Sequence, residues 1–152
     1  VILGKHDVFM HRAIELAKQA PGAPFGSVVV NRSANRIVAE GLNRTADCPI
    51  WHGEMDAIHN CTAQTPSFDF AGHALYTTAE PCPMCQSAIC WAGFTEVYFG
   101  TSIPFLIKEG WGQIEIRAEE VARLSKFVRC KITGGILESD CNLLYVNRKR
   151  SP

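Results

Sequence analysis

The chain has 152 residues, 15 basic and 15 acidic side chains, a formal net charge of 0 and 47% hydrophobic residues. That length supports one domain with a core of its own, and a neutral chain has no overall electrostatic pull toward nucleic acid or an anionic membrane. No apolar run approaches the roughly 20 residues of a membrane span, no signal-peptide pattern opens the sequence, and seven irregularly spaced cysteines point to reduced thiols in a cytoplasm.

Residues 7–20 (DVFMHRAIELAKQA) predict an amphipathic helix, with Phe9, Ala13, Leu16, Ala17 and Ala20 on one face and Asp7 as its cap. "PGAP" then breaks the chain. "FGSVVVN" reads as a buried strand, "NRSANR" as turn chemistry and "IVAEGLN" as a second strand, so the two form a hairpin. After the loop "RTADCPIW", residues 52–63 predict a helix. "HALYTTA" is a third strand, "CPMCQSAICWAG" a helix ended by Gly93, and "TEVYFG" a fourth strand. Short helical pieces are expected around "FLIKEGWG" and "AEEVARLS", then a fifth strand in "CKITGGIL" and a closing helix in "ESDCNLLYVNRK". Strands alternating with helices predict an α/β fold in which helices cover one sheet, within a single domain over residues 1–152.

Cys82 and Cys85 stand three apart, with Pro81 and Pro83 flanking the first. Such a pair can be redox-active, half of a structural zinc site, or part of a catalytic metal centre. Upstream, His52-Gly53-Glu54 opens a predicted helix, which gives H-x-E followed by P-C-x-x-C. One imidazole and two thiolates suit zinc and leave a fourth position for water. Cysteines at i and i+3 share a helix face, Pro83 suits the first helical turn, and a helix N-terminus favours thiolates. Glu54, two residues from the imidazole, is placed to carry protons for an activated water. The structural-zinc alternative needs a fourth protein ligand, for which Cys48, Cys61, Cys90 and His59 are candidates. Otherwise Cys48, Cys61, Cys90, Cys130 and Cys141 read as small buried hydrophobes.

These residues resemble the cytidine-deaminase-like superfamily of zinc deaminases. The likeness extends to "PFGSVVV", "EGLN", "HGEMDAI" and "LYTTAEPCPMCQSAICWAG" in the order of that family's core, and fades after "VYFG". "EPCPMC" followed by "AICWA" looks most like the bacterial guanine deaminases; "HGE" is similar to fungal cytosine deaminases, and "EPC-MC" also occurs in tRNA adenosine deaminases. The resemblance implies a three-layer α/β/α sandwich with a central mixed five-stranded sheet. It implies a hydrolytic deaminase that holds zinc through His52, Cys82 and Cys85 and releases ammonia from an aminated nucleobase or related heterocycle, with guanine favoured over cytosine or tRNA adenosine. Glu54 would move the protons, Asn43 would hydrogen-bond the base, the backbone at Gly53 and Cys82 would hold the substrate, and Phe25 and Trp91 would wall the pocket. Subunits of such enzymes commonly pair, so a homodimer is expected, with Ile89, Trp91, Phe105 and Ile107 at risk of exposure.

The segment "TSIPFLIKEGWGQIEIRAEEVARLS" departs from the acidic stretch that guanine deaminases place near the purine; Glu109, Glu115 and Tyr145 are the substitutes on offer. The basic cluster Arg148, Lys149 and Arg150 is too small to organise a folded RNA. The expected partner is therefore a small neutral heterocycle, with no nucleic acid and no membrane. A zinc-stabilised binding domain without catalysis is the alternative from another class.

Overall fold

The computed structural model describes residues 4–65 and 69–146; the basic cluster at 148–150 lies outside them. Helix α1 (Lys5–Ala17) is capped by Gly4, whose N–H donates to Asp7 Oδ2 at 3.1 Å, and it buries Phe9, Met10, Ala13, Leu16 and Ala17. Asp7 thus caps from inside the first turn, and the helix stops before Ala20, at the turn leading into "PGAP". Strands β1 (Gly26–Asn31) and β2 (Arg36–Leu42) pair antiparallel across a turn that holds Asn35 at φ 53°. Asparagine tolerates that left-handed conformation better than most residues.

Helix α2 (Gly53–Gln64) leads to strand β3 (His73–Ala79), which pairs antiparallel with β1. Helix α3 (Pro83–Ala92) ends at Gly93, whose φ of 90° gives the left-handed cap expected of glycine. It connects β3 to strand β4 (Glu96–Thr101), which runs parallel to β3. Helices α4 (Ile103–Lys108) and α5 (Ala118–Leu124) precede strand β5 (Lys131–Thr133), parallel to β4, and helix α6 (Glu138–Asn142) follows. The sheet order is β2-β1-β3-β4-β5, mixed and five-stranded.

Two clusters cover opposite faces of this sheet. Val28, Val30 and Tyr76 join Phe9, Met10 and Leu16 of α1 and the C-terminal Leu144 and Tyr145. Val29 and Leu75, one residue out of phase, join Ala57 of α2 and Ile89 of α3. That alternation is the strand period of two, and it sets helices on both faces as the three-layer expectation required.

The C-terminal elements are shorter than predicted. Gly135 at φ 84° and Leu137 at φ 48° turn the chain out of the sheet, so β5 ends at Thr133 rather than near residue 137. The closing helix ends at Asn142, because buried Leu144 and Tyr145 continue as a turn against the first cluster. Among the described residues, no helix is long and apolar enough to cross a membrane.

A candidate metal centre and a base-sized cavity

Two helices begin at the same place. His52 is the N-cap of α2 and Cys82 the N-cap of α3, both in extended backbone conformation (ψ 165° and 166°). Their carbonyls accept from the N–H groups of Asp56 and Gln86, so the first turns are closed and both side chains project from helix starts. Close approach of α2 to the sheet depends on Gly41 in β2. A Cβ there would lie 2.2 Å from the Ala57 nitrogen and 2.5 Å from the Gly53 oxygen. Gly53 is close in turn, since its Cβ would stand 2.9 Å from the Phe25 carbonyl oxygen.

His52 Nδ1 lies 3.6 Å from Cys82 Sγ and 3.6 Å from Cys85 Sγ. A tetrahedral zinc with Zn–N of about 2.0–2.1 Å and Zn–S of about 2.3 Å separates its N and S ligands by about 3.6 Å, so the spacing fits this metal. Among the described residues it is the one group of three or more metal-binding side chains whose ligand atoms all lie within 4.8 Å of one another. Cys48, Cys61, Cys90 and His59 are not part of it; His59 is exposed and meets the Trp51 ring edge-on. Three protein ligands leave the open position of a catalytic zinc rather than the closed shell of a structural one.

The electrostatics suit a cation. The Cys82 thiol is pulled down to about 4, chiefly by a hydrogen bond from Cys85 and also by His52. Cys85, fully buried and donating to Cys82, is pushed well above the usual thiol range. The hydrogen bond with Cys82 raises His52. Glu54 is only 4% exposed, and burial, then the charge on Cys82, pushes its carboxyl up. Its Oε1 accepts a 3.0 Å bond from Thr77 Oγ1 of β3, which itself accepts from Ser27 Oγ of β1. The carboxyl is thereby fixed in orientation beside the three ligands.

His52, Glu54 and Cys82 border a cavity of about 220 Å³ together with Phe25, Asn43, Thr45, Glu80, Trp111 and Gln113. Phe25 meets Trp111 edge-on, with ring centroids 5.5 Å apart, and Tyr145 supports both rings from behind. Asn43 Oδ1 accepts from the N–H and hydroxyl of Thr45, so it is both a turn residue and a cavity residue, with its Nδ2 left as a donor. Gly53 does not line the cavity; it brings α2 against Phe25.

Trp91 does not line it either. It lies nine residues along α3 from Cys82, half a helical rotation away, and is 76% exposed with its ring 4.5 Å from that of Phe127. Trp111 takes the place expected of it. The substitutes suggested for the purine end also lie elsewhere: Glu115 is exposed, Glu109 does not border the cavity, and the Tyr145 hydroxyl pairs with Thr78.

Two carboxylates escaped sequence reasoning. Asp56 accepts from the Leu42 N–H, Arg44 Nε and Trp51 Nε1, and so ties the loop between β2 and α2 to the helix; Trp51 is held there rather than over the cavity. Glu80, 3% exposed, accepts from the N–H groups of Ile103 and Ala118 and from Arg117 Nε. It clamps both ends of the segment that carries Trp111 and Gln113. The acid before "PC" was visible in sequence, but its partners lie 23 to 38 residues away and no periodicity reveals them.

The chain is similar to the guanine deaminase of Bacillus subtilis, with 38% identity over 100 residues, 62% of this chain and 63% of that enzyme. It is similar also to a probable cytosine deaminase of Schizosaccharomyces pombe, at 36% over 104 residues, 66% of this chain and 62% of the relative. The matches thus span less than two thirds of either relative. tRNA-specific adenosine deaminases are relatives as well. Among solved structures, a guanine deaminase from Nitrosomonas europaea shares the fold with a TM-score of 0.82 at 24% identity, covering 95% of this chain and 85% of that one. The family model of the cytidine and deoxycytidylate deaminase zinc-binding region matches residues 3–101, which contain His52, Glu54, Cys82 and Cys85, and the chain belongs to that zinc-binding family.

Proposed function

We propose that the chain is a zinc-dependent hydrolytic deaminase, a single catalytic domain that releases ammonia from a free aminated nucleobase, guanine before others. The observation that carries this reading is the buried Glu54 carboxyl beside His52, Cys82 and Cys85 at one end of the cavity. Zinc held by these three residues supplies a Lewis acid that brings the pKa of water toward neutrality. Glu54 does the proton work. Its raised proton affinity suits a group that must take a proton from water, deliver it to the ring nitrogen beside the reacting carbon, and then protonate the departing amine. Thr77 holds the carboxyl in place for each transfer. Phe25 and Trp111, in contact edge-on, give a planar ring one continuous apolar wall, and Asn43 Nδ2 donates to it. Of the two backbone supports expected for the developing charge, Cys82 borders the cavity and is the one retained.

The cavity, at about 220 Å³, falls below the roughly 300–1,000 Å³ of sites for drug-sized ligands and suits a base better than a nucleoside. The 38% identity to a guanine deaminase supports guanine in particular. A tRNA substrate has one observation in its favour, a concavity lined by Arg123, Lys126, Arg129 and Lys131, but none of these residues borders the cavity. The test is ammonia release by zinc-loaded protein across purines, pyrimidines, pterins and triazines at two salt concentrations. Turnover of guanine nearly independent of salt is expected. Inosine formation in tRNA, steeply lost as salt rises and indifferent to added guanine, would overturn the free-base reading; release from no substrate would leave a zinc-stabilised binding domain.

The functional unit is a homodimer in this reading, and the protein is cytoplasmic, in keeping with seven free thiols. Trp91, Ile116, Leu124 and Phe127 are exposed on α3, α5 and the segments beside them, the kind of apolar face that a second subunit covers. Of the other hydrophobics expected there, Ile89 is fully buried and Phe105 and Ile107 are half-buried. A sedimentation profile of a monomer at every concentration would contradict the pairing.

A further inference from the structure

The polar groups around the cavity are almost all engaged. Asn43 Oδ1 already accepts twice from Thr45. Both oxygens of Glu80 face Arg117 and backbone N–H groups. Trp111 Nε1 donates to the Tyr145 carbonyl oxygen at 3.0 Å, and Glu54 works at the metal end. Gln113 is different: half-buried at the cavity, its carboxamide makes no hydrogen bond to a described residue, so a donor and an acceptor both stay free. It neighbours the exposed Gly112, whereas Glu54 is buried, so Gln113 marks the rim and Glu54 the floor.

Resting on the reading of this site as a base deaminase, we propose that Gln113 is the specificity residue, selecting bicyclic aminated heterocycles by donating a hydrogen bond to the unprotonated nitrogen of a fused imidazole. A ring whose amine-bearing carbon sits at the floor turns its opposite edge to the rim. In a 2-aminopurine such as guanine that edge is the imidazole, where a ring nitrogen and an N–H lie one carbon apart. The carboxamide Nε2–H of Gln113 can donate to that unprotonated ring nitrogen, one hydrogen bond in the plane of the ring; the imidazole N–H points away on the far side of the C–H between them. A pyrimidine has no such second ring and brings no acceptor to the rim. The selecting group is therefore a neutral amide; of the two carboxylates that border the cavity, Glu80 is held by Arg117 and Glu54 stands at the floor. The ends of its loop are fixed by Glu80 and its middle by Trp111, so Gln113 is presented on a braced segment.

The experiment is a cycle of kcat/KM values on zinc-loaded protein, with guanine and 7-deazaguanine as substrates and Gln113→Leu as the variant. 7-Deazaguanine replaces the accepting ring nitrogen by C–H with almost no change in size. Wild type is expected to favour guanine by about three- to tenfold, the range of one net hydrogen bond, and Gln113→Leu to bring the two substrates within about twofold. Equal losses on both substrates would show that Gln113 merely supports the loop, and an unchanged guanine kcat/KM would show that it touches nothing; either overturns the proposal and leaves the deaminase reading intact. Wild-type protein that releases ammonia from neither base nor from any other heterocycle overturns both.

Discussion

Glu80→Gln tests whether one buried carboxylate holds the C-terminal half of the site in place. In the native chain Oε1 accepts from the Ile103 N–H at 2.9 Å and Oε2 from the Ala118 N–H at 2.8 Å, with Arg117 Nε 3.0 Å from each oxygen. An amide keeps the size but has one acceptor, so its NH2 must face either Ile103 N–H or Ala118 N–H, donor against donor. A buried N–H left unpaired costs about 1–3 kcal/mol. The lost attraction to Arg117 adds less, at most about 1 kcal/mol, because that side chain is 53% exposed. Together the loss is about 1–4 kcal/mol, which at a urea m-value of about 2 kcal/mol/M moves the unfolding midpoint down by about 0.5–2 M. Urea unfolding of zinc-loaded protein followed by circular dichroism reads this directly. KM for the base should rise as well, since both ends of the segment bearing Trp111 and Gln113 are loosened. A midpoint within about 0.2 M of wild type would refute the clamp, because no arrangement of a glutamine satisfies both backbone donors.

Gly41→Ala drives a methyl into the backbone of α2, so it should cost at least the roughly 1–3 kcal/mol of an overpacked core and weaken zinc binding, read by metal analysis beside a thermal melt; a variant with wild-type stability and zinc would show that α2 can move away freely. Glu54→Gln should keep one zinc per chain, since Glu54 is not among the grouped ligands, yet lose about 10²–10⁴-fold or more in kcat, and full activity would remove Glu54 from the mechanism. Cys85→Ala, or removal of zinc by a chelator, should lower the melting temperature because metal binding is coupled to folding; equal melting with and without metal counts against a resident zinc. Burial pushes the Cys130 and Cys141 thiols up to about 12, so they carry almost no thiolate below that pH, and iodoacetamide at pH 8 should leave both unlabelled in native protein. Rapid labelling of Cys141, read by peptide mass spectrometry, would contradict its burial.

What the sequence determined by itself was local or carried by a motif. Residue type located β1 to β4 within a residue or so, since a short apolar run such as Val28, Val29, Val30, buried on both faces of the sheet, is legible without any partner. Pro83 marked the first turn of α3, and the spacing of His52, Glu54, Cys82 and Cys85 named the metal group, because zinc restricts which side chains can serve and how they are arranged. The tertiary structure decided what depends on partners far along the chain. Trp91 and Trp111 are the same residue type, yet only the rotation along α3 and the closure of the 103–118 segment on Glu80 send one to solvent and the other to the cavity. Asp56 and Glu80 look like ordinary acids until their donors assemble around them. Gln113 drew no reading from the sequence, and its carboxamide acquires meaning only where the fold sets it, in a cavity where Glu80, Trp111 Nε1 and Asn43 Oδ1 are already engaged.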